Sequence, residues 1–179
     1  MNIGLIPQKW ARLTPQKEAV IDAEKNRRIT FSELEDLVNQ ITNGLISIGL
    51  QKGDRVGILS KNSIEHLALF YACGRVGIVA QPMNWRLSAS ELVKIIENGN
   101  PSVVIVDGDL SGLGKQVQAE TDLVQQWLEY GEAGDQSFES LVQAQPPIEP
   151  SLTSNCRAED PFFIPVSYTH LTLPTKKRG

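Results

Sequence analysis

The chain has 179 residues, of which 41% are hydrophobic and 21% are charged, and its formal net charge is −4. This mildly acidic balance gives no electrostatic reason to expect binding to nucleic acid or to an anionic membrane. No run approaches the roughly 20 apolar residues that span a bilayer, and the N-terminus does not show the pattern of a signal peptide. Two cysteines stand far apart and match no metal-ligand spacing, so we expect free thiols and a reducing, cytoplasmic location.

The N-terminal segment predicts a short helix followed by a β-hairpin. Ile6, Trp10 and Leu13 recur at helical spacing, and a proline follows shortly after them. The runs Ala19–Ile21 and Arg28–Thr30 flank a polar turn, which is typical of two antiparallel strands.

The strongest helical pattern begins at Thr30. The stretch "TFSELEDLVNQITNGLISIGL" carries its apolar residues on one stripe. Thr30 and Glu33 have the spacing of a capping box, and Gly49 is placed to end the helix in a left-handed conformation.

The next part of the chain alternates between strands and helices. Buried strands are predicted for Val56–Leu59, Ile78–Gln81 and Val103–Val106, with an apolar helix capped by Asn62 or Ser63 and a second helix between them. That second helix has Ser88 and Glu91 at capping-box spacing and Gly99 where it should stop. This alternation predicts an α/β fold with a parallel or mixed sheet flanked by helices.

The pattern weakens after the third of these strands. We predict one further strand at Leu123–Leu128 and one short helix at Phe138–Gln143. The stretch "EDPFFI" then predicts the start of another buried strand.

Several side chains in this region are candidates for chemistry, and each has a structural alternative. His66 is a possible base or a half-buried helix histidine, and Cys73 is a possible nucleophile or a buried core thiol. Asp54–Arg55 is best explained as a surface ion pair. Asp107–Asp109 follows a strand and could hold a metal, although a turn explains it more simply.

The order of these segments resembles the N-terminal subdomain of the adenylate-forming, AMP-binding enzymes, specifically the fatty acyl-CoA synthetases. The stretches that carry the resemblance are "ITFSEL", "GLQKGDRVGIL", "NSIEHLALFYACGRVGIVAQPMNWRLSASEL" and "EDPFFI", in the family's order over roughly residues 5–165. The resemblance implies an enzyme that uses ATP and Mg²⁺ to convert a carboxylate to an acyl adenylate and then transfers the acyl group to coenzyme A. Two alternatives stay open, an adenylation domain that loads a carrier protein and a non-catalytic α/β binding module.

The same resemblance singles out Arg86 in "NWRL". In related synthetases an arginine at this place lies near the coenzyme A phosphates, and the planar guanidinium suits paired phosphate oxygens. The alternative is that Arg86 covers Trp85 or pairs with Glu91. No catalytic residue and no metal ligand is predicted within this chain.

In the family, a Ser/Thr/Gly-rich loop that holds the ATP phosphates follows a strand like "EDPFFI". Here Tyr168–Thr169 match only the start of that loop, and Leu171 and Leu173 stand where glycine is needed. The resemblance therefore implies that this chain alone is inactive and binds ATP, Mg²⁺ and coenzyme A poorly, because the phosphate loop and the C-terminal domain that carries a catalytic lysine do not occur in it.

The last residues have a different explanation. "VSYTHLTLPT" is the translation of a DNA string that resembles a sequencing-library adapter, and Pro165 and Lys176 agree with the adapter bases on either side. We therefore expect residues 1–165 to be part of an AMP-binding domain and residues 166–179 to be an artefactual, disordered tail.

Overall fold

The computed structural model describes residues 2–131, 134–151, 156–157 and 159–165, so the predicted tail at 166–179 and the comparison with a phosphate loop lie outside the described residues. The helices are α1 Ile6–Leu13, α2 Phe31–Ser47, α3 Ile64–Val76, α4 Ala89–Gly99, α5 Ser111–Ala119 and α6 Ser137–Gln143. The strands are β1 Glu18–Asp22, β2 Arg27–Thr30, β3 Arg55–Leu59, β4 Val79–Met83, β5 Val103–Asp107 and β6 Gln126–Tyr130. Two 3-10 turns lie at Ile3–Leu5 and Gly108–Leu110.

The main sheet has the strand order β4-β3-β5-β6, and every neighbouring pair is parallel. β1 and β2 form a separate antiparallel hairpin. β3 and β5 are buried along almost their whole length, because helices cover both faces of a parallel sheet and continuous apolar strands suit that position. The α/β fold with helices flanking a parallel sheet is therefore confirmed.

Each face of the sheet has its own hydrophobic core. One face packs against α2, α3 and α6, with Ile58 and Ile105 pointing into it. The other face packs against α4 and α5, with Leu59 and Val104 pointing into it. The side chains of a strand alternate between faces, so one apolar strand supplies both cores.

The predicted helix ends are largely confirmed. Thr30 N–H donates to the Glu33 carboxylate at 2.7 Å, and Glu33 N–H donates to Thr30 Oγ1 at 3.3 Å, which forms the capping box. Gly49 has a φ of +91° and follows α2. α4 ends at Gly99, as predicted, and Asn100, with a φ of +45°, is the left-handed residue that follows it.

Gly99 is also required by close packing. A Cβ atom there would lie 2.1 Å from the amide nitrogen of Gln81, a side chain that is only 1% exposed. Gln81 donates to the carbonyl of Ile95 at 3.0 Å, so α4 packs with its last turn directly on a β4 side chain.

A fully buried arginine joins the N-terminal turn to two helices. The guanidinium of Arg75 in α3 donates to both carboxylate oxygens of Glu35 in α2, at 2.9 and 2.8 Å. It also donates twice to the carbonyl of Gly4, at 3.0 and 2.7 Å, and once to Asn39. The side chain of Arg75 is 0% exposed, so these partners replace all of its hydration.

Three predictions for the second half of the chain need correction. α5 was not predicted, because Gly112 and Gly114 lower helix propensity, yet Gly114 lets the helix lie close to Val106. β6 lies a few residues later than predicted. The stretch "EDPFFI" does not form a buried strand among the described residues, since it makes a single parallel bridge to Ala80 and Phe163 is 37% exposed.

Candidate functional site at the carboxyl edge of the sheet

The carboxyl ends of β3 and β5 form the natural place for a ligand. From β3 the chain crosses to β4 on one side, and from β4 it returns to β5 on the other side of β3. α3 and α5 consequently leave the ends of β3 and β5 on opposite faces of the sheet. Open parallel sheets bind ligands in the crevice between two such strand ends. Residues 60–63 and the turn Gly108–Leu110 flank this crevice.

Two cations meet one indole beside this crevice. Leu59 and Met83 are partners in the parallel register of β3 and β4, so Lys61 and Trp85, each two residues further on, are brought side by side. The Lys61 ammonium lies 5.8 Å from the Trp85 ring centroid, and the Arg86 guanidinium carbon lies 4.2 Å from it. We call Lys61 and Arg86 the carboxyl-edge cation pair.

A buried hydroxyl cluster fixes the loop that carries Lys61. The Tyr130 hydroxyl, at the end of β6, lies 2.5 Å from Ser60 Oγ and 3.2 Å from Ser63 Oγ. Ser63 Oγ also accepts from the backbone N–H of His66 at 3.0 Å and caps α3, which confirms one of its two predicted caps. Burial raises the pKa of Tyr130 to about 12, so its hydroxyl remains a donor at neutral pH.

The acidic residues after β5 form a turn, as predicted by the simpler explanation. Asp107 is buried, and its carboxylate accepts from the backbone N–H of Asp109 at 3.2 Å. Asp109 lies 3.4 Å from the Lys61 ammonium. Within the described ranges, no three His, Cys, Asp or Glu side chains come together as a metal site.

Arg86 itself is exposed, and its position distinguishes the two structural alternatives considered for it. Glu91 does not pair with it, because the Glu91 carboxylate accepts from the backbone N–H of Ser88 at 2.8 Å in a capping box. The guanidinium lies over Trp85 instead, and the backbone N–H of Arg86 donates to Asn84 at 3.0 Å. The fork of the guanidinium is thus held at the surface of the carboxyl edge.

The other candidate side chains have structural environments. His66 is half-buried and stacks on Phe70 with ring centroids 5.3 Å apart. Its Nδ1 has no hydrogen-bond partner among the described residues, and burial lowers the pKa of the imidazole. Cys73 is a buried free thiol whose pKa burial raises to about 12. The predicted Asp54–Arg55 ion pair is wrong, since Asp54 accepts from the N–H of Gln51 and Arg55 donates to a backbone carbonyl.

Sequence reasoning missed Lys61 and Tyr130. Lys61 carried no usable signal, because it follows the predicted strand Val56–Leu59 by two residues whereas Trp85 follows the predicted strand Ile78–Gln81 by four. Tyr130 carried none, because β6 was predicted too early in the sequence to end at that residue.

Known proteins resemble more than half of this chain. The sequence matches the family described as AMP-binding enzyme over residues 7–169. It is 30% identical over 166 residues to a long-chain-fatty-acid–CoA ligase, FadD13, of Mycobacterium tuberculosis, covering 91% of this chain and 32% of that ligase. It is 35% identical over 104 residues to a feruloyl-CoA synthase of an Amycolatopsis species, covering 58% of this chain and 21% of that protein.

Solved structures agree with these relatives. The crystal structure of the N-terminal domain of FACL13 from M. tuberculosis superimposes with a TM-score of 0.83 at 29% identity, covering 92% of this chain and 41% of that one. The inhibitor-bound crystal structure of that domain gives a TM-score of 0.86 at 28% identity, covering 95% and 42%. The chain spans about a third of the length of the fatty-acid–CoA ligase. Fold, sequence and motif order together show that the chain belongs to the AMP-binding enzyme family.

Proposed function

We propose that this chain is part of an ATP-dependent acyl-CoA synthetase. In this reaction a carboxylate attacks the α-phosphate of ATP, which gives an acyl adenylate and releases pyrophosphate, and the thiol of coenzyme A then displaces AMP. The observation that carries the proposal is the identity to a fatty-acid–CoA ligase across 91% of this chain. The acid itself is not assigned, because relatives named for long-chain fatty acids, medium-chain acids and ferulate all match.

The whole enzyme would require ATP, Mg²⁺ and coenzyme A, while this chain alone should not form acyl adenylate. It spans 32% of the length of its fatty-acid–CoA ligase relative, and the Ser/Thr/Gly-rich phosphate loop expected of the family does not occur in its sequence. The two free cysteines support a reducing compartment such as the cytoplasm.

Within this function, Arg86 is proposed to bind phosphate oxygens of coenzyme A. Its exposed guanidinium at the carboxyl edge supports this role, because a planar fork with several donors can engage two phosphate oxygens at once. Because the Arg86 side chain already stacks on Trp85, it would lose less conformational entropy on binding.

A hybrid enzyme tests the function. Residues 5–165 of this chain replace the corresponding part of the M. tuberculosis ligase, and acyl-adenylate and acyl-CoA formation are measured separately with acids from acetate to palmitate. The expected result is ATP-dependent formation of both products by the hybrid and of neither by the 179-residue chain. A folded hybrid that makes acyl adenylate but does not use coenzyme A would favour the carrier-protein alternative. A folded hybrid that makes neither product would contradict the proposal.

A further inference from the structure

Lys61 is the second member of the carboxyl-edge cation pair. Lys61 and Arg86 come from loops after two different strands, yet both charges lie within 6 Å of the Trp85 ring centroid. The parallel register of β3 and β4 places them there, so the arrangement is built into the sheet. An arginine that only covered a surface tryptophan would not need a second cation beside it.

We propose that Lys61 is a second phosphate-binding residue, and that it acts with Arg86 on the phosphate groups of coenzyme A. The inference rests on the proposed function, because the ligand is the acyl acceptor of that reaction. An arginine fork fixes the orientation of one phosphate group, and a lysine ammonium adds a mobile point charge that can follow a neighbouring one.

The resting contact of Lys61 is weak enough to be exchanged for a ligand. Its ammonium lies 3.4 Å from Asp109, and the two side chains are 39% and 50% exposed. Ion pairs of that exposure contribute little and are screened by salt, so a phosphate carrying more charge can compete with the single carboxylate. Asp109 therefore opposes anion binding at this place.

The loop that carries Lys61 is held by side-chain contacts on both sides of that residue. Ser60 and Ser63, on either side of it, both contact the buried Tyr130 hydroxyl. The main ordering cost of binding at Lys61 is consequently the entropy of its side chain.

The test is a titration of the nitrogen-labelled hybrid enzyme with coenzyme A, ATP and inorganic pyrophosphate in separate experiments, following the indole N–H signal of Trp85. We expect Lys61→Gln to weaken coenzyme A binding roughly tenfold, because a charge-assisted contact is worth about that factor. Asp109→Asn should tighten binding by about threefold, since it removes a competing charge. Lys25→Gln, an exposed lysine in the hairpin turn, is the matched control and should leave binding unchanged.

The Asp109 variant separates this proposal from a purely structural role, because a lysine that only holds the loop would lose support when its partner is neutralised. The indole signals of Trp10 and Trp127 report whether each variant remains folded. No shift of the Trp85 signal with coenzyme A, or an unchanged affinity in Lys61→Gln, would overturn the inference. An equal loss of ATP affinity in Lys61→Gln would also overturn the inference. Acyl-adenylate formation by the hybrid needs no coenzyme A, so the proposed function would fail or stand independently of these results.

Discussion

Replacing Glu35 by glutamine should destabilise the chain far more than the same change at the surface. The variant keeps the size of the side chain but leaves the guanidinium of Arg75, which is 0% exposed, without its counter-charge. Two charge-assisted contacts, at 2.9 and 2.8 Å, lose the carboxylate, and the new amide places donors against donors. Breaking a buried pair from one side costs about 3–5 kcal/mol, against a total stability of about 5–15 kcal/mol for a domain.

The assay is urea-induced unfolding of the 179-residue chain followed by tryptophan fluorescence. Glu18→Gln is the matched control, because Glu18 also pairs with an arginine through both oxygens, but the two side chains are 53% and 56% exposed. That change should alter the free energy of unfolding by about 0–1 kcal/mol. A double variant, Arg75→Met with Glu35→Leu, should recover only part of the loss, since it leaves no buried charge but removes the donors of the Gly4 carbonyl and Asn39. Equal effects of Glu35→Gln and the control would refute the reasoning.

Three other outcomes follow from packing and ionisation. Gly99→Ala should lower the free energy of unfolding by about 1–3 kcal/mol, because its methyl group overlaps a buried amide, while Gly112→Ala, where nothing lies within 4 Å, should leave it unchanged or slightly raise it. An aromatic disulfide reagent should label Cys156 in the native chain, and Cys73 only after unfolding, because Cys73 is fully buried and its pKa is raised to about 12. Hydrogen bonds from its threonine N-cap lower the pKa of Glu33, so its contribution to stability is present above pH 4.5 and is lost as the pH falls through the lowered pKa.

Each of these expectations has a contradicting result. Equal stability of the two glycine variants would show that α4 can move away from the sheet without cost. Rapid labelling of both thiols in the native chain would contradict the burial of Cys73. If the acid-dependent loss of stability is the same in Glu33→Gln as in the parent chain, the capping box is not its source.

The predictable part of the fold was the part in which local signals agree. Helix α2 has a capping box, an apolar stripe and a glycine stop, and its bounds followed from those features. α5 lacks a side-chain cap and contains two glycines, so only its packing against the sheet makes it a helix. An ion pair between residues 40 positions apart, such as Glu35 and Arg75, produces no periodic pattern in the sequence.

The candidate site likewise contains one residue with a local sequence signal and one that only the packing of the sheet reveals. The resemblance drew attention to Arg86 because the residue stands in a short quotable motif. Lys61 becomes visible only when the register of β3 and β4 is known, and that register depends on packing across the whole sheet.

Proline in β4 also limits how the open side of the sheet can pair. The N–H and carbonyl of Ala80 both bond outward to the segment at 162–164, so the next outward-facing position along β4 belongs to Pro82, which has no N–H to donate. A second strand can therefore join this side in register around Ala80 but cannot continue toward the carboxyl edge. Pro82 therefore limits edge-to-edge association of this sheet with other chains. Replacing it in Pro82→Val should make the protein more prone to aggregate.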